Sequence, residues 1–203
     1  MLSKKDSPYS IGLTGNIATG KSTVARMLVE LGAVHIDADL VAHDVMSPGG
    51  AVYAAVVRAF GPEIVGVGGA IDRHQLGEIV FNDSMALAQL ESLVHPAVIA
   101  EVARRMGVNH ASVVVVEAIK LIESGMARCY DALWVTTCPS EVQLTRLVQQ
   151  RSLTPADARS RIQSQPSHDE KIALADVVID TGGSLEETQR QVLAAWHNFY
   201  ASL

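Results

Sequence analysis

Gly15 and Gly20 bracket four residues ahead of Lys21 and Ser22, between a short apolar run and a stretch with apolar residues at helical spacing. The spacing G-x-x-x-x-G-K-[ST], set between a strand and a helix, is that of a loop that wraps a polyphosphate. Such a loop turns its backbone N–H groups inward, so it needs glycine where a side chain would collide or where φ is positive. The helix predicted from about Lys21 adds unpaired amides and the positive end of its dipole. Lys21 supplies a mobile charge for the β- and γ-phosphates of a bound nucleotide, and the Ser22 hydroxyl is the expected Mg²⁺ ligand.

Other residues with chemistry to offer stand at strand ends. Ala33-Val34-His35-Ile36 runs straight into Asp37-Ala38-Asp39, which places two carboxylates where ligands bind in open α/β sheets. One of the pair is expected to cap the following helix, over residues 40–46, which leaves the other for chemistry. The most hydrophobic strand, Ser112-Val113-Val114-Val115-Val116, ends in Glu117, an acid placed to act on Mg²⁺ or its water shell. Glu123 on the next turn reads as solvated or ion-paired. Arg159, Arg161, Gln165 and Lys171 form a basic segment around Pro166, and bidentate arginines on such a segment suit a lid over phosphate. A solvated helix gives the same pattern.

The elements that must position these groups follow from periodicity and punctuation. Five short apolar strands separated by helices predict a parallel three-layer α/β sheet. The alternation breaks at residues 44–100, read as a helical insertion with no strand for the sheet. Asp72 caps a helix over 73–81 there; a further helix runs from 82–84 to His95-Pro96, and a separate one covers 97–106. Thr154-Pro155 starts a helix, and Ser184-Leu185-Glu186-Glu187 is a capping box opening the last one.

The chain has 203 residues, of which 48% are hydrophobic and 19% charged, enough for one domain with a substantial core. No run approaches the ~20 apolar residues of a membrane span, and residues 1–8 lack an apolar signal core, so they are expected to be a short cytoplasmic tail. A formal net charge of −6 argues against a nucleic-acid-backbone binder. Cys129 and Cys138 are not at metal-ligand spacing and are expected to be reduced and structural.

Taken in order, these stretches resemble the dephospho-coenzyme A kinases. Gly12-Leu13-Thr14-Gly15 with Gly20-Lys21-Ser22-Thr23 is similar to that family's opening, Asp37-Ala38-Asp39 to its paired acids and Leu93-Val94-His95-Pro96 to its His-Pro element. Arg146-Leu147, Gln150-Arg151, Ala158-Arg159-Ser160-Arg161-Ile162, Gln165, Glu170-Lys171 and the run from Ala175 to Asp180 are similar to its lid and closing strand. The resemblance implies one P-loop kinase domain over 1–203. Its core would span 9–43 and 101–203, with a substrate-binding insertion at 44–100 and a lid at 150–170. It implies transfer of the γ-phosphate of ATP to the ribose 3′-hydroxyl of dephospho-CoA. Asp39 takes the position of the catalytic base, with Lys21 and Arg146 as its catalytic partners. Gly15, Asn16, Ile17, Ala18, Thr19, Gly20, Lys21, Ser22, Thr23 and Arg146 bind the nucleotide, and Ser22 holds Mg²⁺. Thr14, Asp37, Asp39, His95 and Arg161 face the substrate. The implied protein is cytoplasmic, without nucleic-acid or membrane partners, and a monomer or weak homo-oligomer.

Two departures from the family stand out. Three glycines around an isoleucine become Gly15-Asn16-Ile17-Ala18-Thr19-Gly20, and Asn16 is expected to carry the positive φ. Asp-Ile-Pro-Leu-Leu becomes Glu117-Ala118-Ile119-Lys120-Leu121, with Lys120 as an extra cation toward a substrate phosphate. A GTPase switch would need a guanine-reading Asn-Lys-x-Asp, which the chain does not contain. A kinase of another small hydroxyl or nucleotide acceptor, differing in residues 44–100, and a nucleotide binder without turnover stay open.

Overall fold

The computed structural model describes residues 8–108 and 111–201, so the expected tail lies outside them but for Pro8. In chain order the elements are β1 (Tyr9–Thr14), α1 (Lys21–Glu30), β2 (Val34–Asp37), α2 (Ala38–Val45), α3 (Tyr53–Phe60), α4 (Arg73–Asn82) and α5 (Ser84–Gly107). There follow β3 (Val113–Glu117), β4 (Ala132–Thr137), α6 (Ser140–Arg151), α7 (Pro155–Gln163), α8 (His168–Ile172), β5 (Val177–Asp180) and α9 (Leu185–Ala201). They divide into two compact units: Met1–Ile36 with Met106–Leu203, and Asp37–Arg105.

The first unit is built on the sheet, in the order β2-β3-β1-β4-β5. β1 runs parallel to β3 and β4, and β4 parallel to β5. Parallel pairing brings the carboxyl ends of these strands to one rim, where Thr14, Glu117, Thr137 and Asp180 end them. β3 is buried along its whole length, as a strand covered on both faces must be. On one face Ile11, Leu13, Val113, Val115 and Trp134 pack against Val24 and Leu28 of α1 and Val192 and Trp196 of α9. Ser184 and Glu187 form the capping box before α9, each side chain taking the other's backbone amide (2.8 and 3.2 Å).

The second unit is helical past Asp37, the last residue of β2, and carries an isolated antiparallel bridge between Val65 and Ile71. Asp72 caps α4, accepting from the amides of His74 and Gln75. The two helices expected on either side of Pro96 are one: α5 runs through it. Proline removes one amide and leaves one carbonyl without its intrahelical partner, but Val94, Val98 and Val102 stay buried at four-residue spacing, so the apolar seam holds the helix together across the break. Near its end Glu101 receives Arg104 and Arg105, which hold its carboxyl down to about 2, and Arg105 also reaches Asp44 of α2 at 2.8 Å.

Candidate phosphate and metal site

A loop that presents amides to an anion turns carbonyls toward protein, and buried carbonyls need donors. Every carbonyl of residues 15–20 has one. Lys21 Nζ donates to Gly15 O (2.8 Å) and Asn16 O (3.1 Å), and Thr19 Oγ1 also donates to Asn16 O. Gln143 Nε2 donates to Ile17 O at 2.7 Å. Arg146 Nη1 and Cys138 Sγ donate to Ala18 O, at 3.0 and 3.8 Å. Thr181 Oγ1 donates to Thr19 O at 2.9 Å, and the first amides of α1 take Gly20 O. Among the described residues the amides of Ala18, Gly20 and Ser22 meet no protein acceptor. Amides so placed can receive an anion.

Glycine is required at both ends. A Cβ on Gly15 would lie 2.4 Å from Thr136 Oγ1, and one on Gly20 would lie 3.0 Å from Thr181 Oγ1 at φ +82°. Between them the left-handed residue is Ala18, at φ +58°, and not Asn16. Asn16 is buried and uses its side chain instead, Nδ2 donating to Pro166 O at 2.8 Å. Ile17 N donates to Gln165 Oε1 at 2.7 Å, so the turn between α7 and α8 is fastened to the loop at two points.

At the mouth of the loop, exposed Ser22 donates to Glu117 Oε1 at 3.0 Å, and His35 Nε2 lies 3.1 Å from Glu117 Oε2. Burial pushes the Glu117 carboxyl up, but the hydrogen bonds from His35 and Ser22 and the nearby Lys21 charge outweigh it and hold it below its ordinary range. A hydroxyl beside one ionised carboxylate is an all-oxygen donor set of the kind Mg²⁺ uses with phosphate and water, and it fits that ion. Among the described residues no cluster of three or more His, Cys, Asp or Glu offers a metal cage.

The other expected residues divide by their surroundings. Thr14, expected against the substrate, is fully buried, and its hydroxyl is committed to Ile119 O at 3.1 Å. Arg146 is partly buried, with Nη1 also on Thr181 Oγ1 and Nη2 on Thr181 O. Lys120 is exposed just past β3, and Arg159 and Arg161 are exposed on α7. Lys171, expected among the phosphate-facing cations of the lid, is instead 3% exposed, pairs with Glu123 at 3.0 Å and donates to Ile119 O at 2.9 Å. Its ammonium is spent fastening α8 to the turn after β3. Cys129 and Cys138 are both free thiols. In the second unit Asp37 is the cap of α2, with Oδ1 taking the amides of Asp39 and Leu40. Asp39 is exposed in the first turn of that helix, and His95 is half-buried in α5.

Sequence reading did not single out Gln143, Thr181, His35 or His168. Gln143 carries a signal in hindsight: an amide on the buried side of α6 must find a backbone partner. His168 packs Nδ1 against Thr137 Oγ1 at 3.2 Å, and burial, together with the charges of Lys171 and Lys21, lowers its pKa.

Two outcomes follow from the loop. A left-handed alanine costs about 1–2 kcal/mol, against about 0.4–1 kcal/mol of unfolded-state entropy that glycine adds. Ala18→Gly should therefore stabilise the protein by roughly 0.5–1 kcal/mol in urea denaturation, with an unchanged slope. Glu117, whose folded-state pKa is depressed, contributes stability above the ordinary Glu value of 4.5 and loses it as pH falls through the folded value. The advantage of the metal-free wild type over Glu117→Gln should shrink steadily below that pH; a constant difference would show that the carboxylate is not stabilised as described.

A family model for dephospho-CoA kinase matches residues 9–187. The dephospho-CoA kinase of Moorella thermoacetica is 42% identical over 199 residues, covering 96% of this chain and 94% of that protein. The solved dephospho-CoA kinase of Campylobacter jejuni aligns with a TM-score of 0.68 and 29% identity over 94% of this chain and 96% of its own. Shikimate kinase from Acinetobacter baumannii, solved in complex with shikimate, aligns at 0.53 and 16% over 97% and 96%, a likeness of fold alone. The sheet is thus that of a three-layer P-loop kinase, and a match running from β1 into α9 makes the chain a member of the dephospho-CoA kinase family.

Proposed function

We propose that the protein transfers the γ-phosphoryl group of ATP to the ribose 3′-hydroxyl of dephospho-CoA, giving coenzyme A and ADP, the last step of coenzyme A synthesis. Family membership across residues 9–187 is the observation that carries this reading, and the geometry of the loop supports it. The amides of residues 15–23 and the Lys21 ammonium bind the β- and γ-phosphates, with Lys21 exchanging the carbonyls of Gly15 and Asn16 for phosphate oxygens. Ser22 and Glu117 would hold Mg²⁺, which when bound neutralises charge on the phosphate oxygens. Asp39 orients the 3′-hydroxyl and accepts its proton as the new O–P bond forms and the bond to the β–γ bridging oxygen breaks.

Arg146, fastened to the loop at Ala18 O, acts on the nucleotide side. Residues 150–170 serve as the lid that excludes water, with Arg161 toward the substrate. The insertion at 44–100 binds dephospho-CoA, His95 within it, and Asp37 acts chiefly by setting Asp39 on α2. Lys120, exposed beyond β3, adds a cation for a substrate phosphate. The protein works in the cytoplasm as a monomer or weak homo-oligomer without nucleic-acid or membrane partners. Its charge of −6 supports the first of these exclusions, and no described helix is long and apolar enough to cross a membrane.

A coupled ADP-release assay with ATP and Mg²⁺, comparing dephospho-CoA with adenosine, AMP and shikimate, tests the acceptor. Turnover with dephospho-CoA alone, and a product one phosphoryl group heavier by mass spectrometry, is the expected outcome; turnover with another acceptor instead overturns it. In the same assay Asp39→Asn should lower kcat by about 10²–10⁴ with an intact fold, and near-normal turnover would remove Asp39 as the base. Lys120→Ala should raise KM for dephospho-CoA while leaving KM for ATP in place, and an unchanged KM for dephospho-CoA rejects its role.

A further inference from the structure

Glu117 closes β3 with an acid longer than aspartate, and the length has a physical consequence. Glutamate has one more methylene and one more rotatable bond, so its carboxylate is harder to hold at a fixed place and costs more entropy to order. In this chain both carboxylate oxygens are held, by donors from two different elements. Ser22, in the first turn of α1, takes Oε1 at 3.0 Å, and His35, on the edge strand β2 beside β3, takes Oε2 at 3.1 Å. Glu117 is 6% exposed, and the His35 side chain in contact with it is 29% exposed. A carboxylate can only accept, so His35 Nε2 carries the proton in this contact. The neutral ring with hydrogen on Nε2 and the imidazolium both supply it, so the contact does not depend on the charge of the ring.

We infer that His35 is a positioning residue for the metal side of the site: by holding Glu117 Oε2 it turns Oε1 toward Ser22, and so restores with a longer acid the oxygen pair that Mg²⁺ needs. The inference rests on the assignment of Ser22 and Glu117 as that pair. Neighbours that orient a metal-binding carboxylate without touching the ion are commonly worth about 10–100-fold in metal affinity. His35 belongs to that class, and its partner Glu117 lies 82 residues away in the chain.

The test is Mn²⁺ binding to the ADP complex, read by electron paramagnetic resonance without turnover, on wild type, His35→Leu, His35→Gln, Glu117→Ala and the His35→Leu/Glu117→Ala double variant. His35→Leu should weaken Mn²⁺ binding about tenfold and His35→Gln, whose side-chain amide can donate to the same oxygen, no more than about threefold. The double variant should bind no worse than Glu117→Ala alone, because His35 acts through Glu117. If Glu117→Ala weakens binding and His35→Leu does not, the positioning role is wrong and the metal pair stands. If Glu117→Ala also binds as wild type does, the metal pair itself is wrong. Additive losses in the double variant, or a His35→Gln variant as weak as His35→Leu, overturn the hydrogen-bond mechanism.

Discussion

A backbone that gives its amides to a phosphate must find other donors for its carbonyls, and this constraint organises the first unit. The donors come from the loop itself, through Thr19 and Lys21; from α6, through Gln143 and Arg146; from the end of β4, through Cys138; and from the end of β5, through Thr181. Each bond is individually modest, about 0.5–1.5 kcal/mol net for a neutral pair. Their joint effect is to fix the loop from several sides, so that binding a nucleotide need not include the cost of ordering it. The parallel sheet makes this possible, because it delivers several strand ends to one rim.

Lys21 shows the economy of the arrangement. The residue is 8% exposed, and its ammonium rests on two carbonyls of its own loop. A buried charge is costly unless hydrogen-bonded, and these carbonyls satisfy it while leaving it beside the place where phosphate oxygens would go. Ala18 stands on the other side of the balance. A left-handed residue with a side chain is strained, and strain of this kind persists where surrounding bonds over-determine the backbone; the two donors on Ala18 O are such bonds.

What could be read in the sequence is what is local in the chain. The spacing from Gly15 to Ser22, a cap from one of Asp37 and Asp39, the caps at Asp72 and Thr154, and the capping box from Ser184 to Glu187 each depend on residues two to seven positions apart, and the helix starts formed as read. The run of valines in β3 announced a strand covered on both faces. What failed was set by tertiary contact. Pro96 signals a break, but the buried valine seam of α5 overrides it. Lys171 reads as a lid cation until Glu123 is seen beside it, 48 positions earlier by numbering. Which of Asn16 and Ala18 takes the positive φ depends on Pro166, Arg146 and Cys138, and no local pattern encodes that.

Held from these sides, the phosphate loop is expected to keep its backbone path when nucleotide binds, with only Lys21 changing partners. A crystal structure of the protein with Mg²⁺ and a non-hydrolysable ATP analogue, compared with the free protein, tests it directly. The account predicts that the backbone of residues 15–22 superposes to within about 1 Å, with Lys21 Nζ moved from the Gly15 and Asn16 carbonyls to phosphate oxygens. A loop that changes its backbone path, or a Lys21 that stays on those carbonyls while the nucleotide is bound, would contradict it.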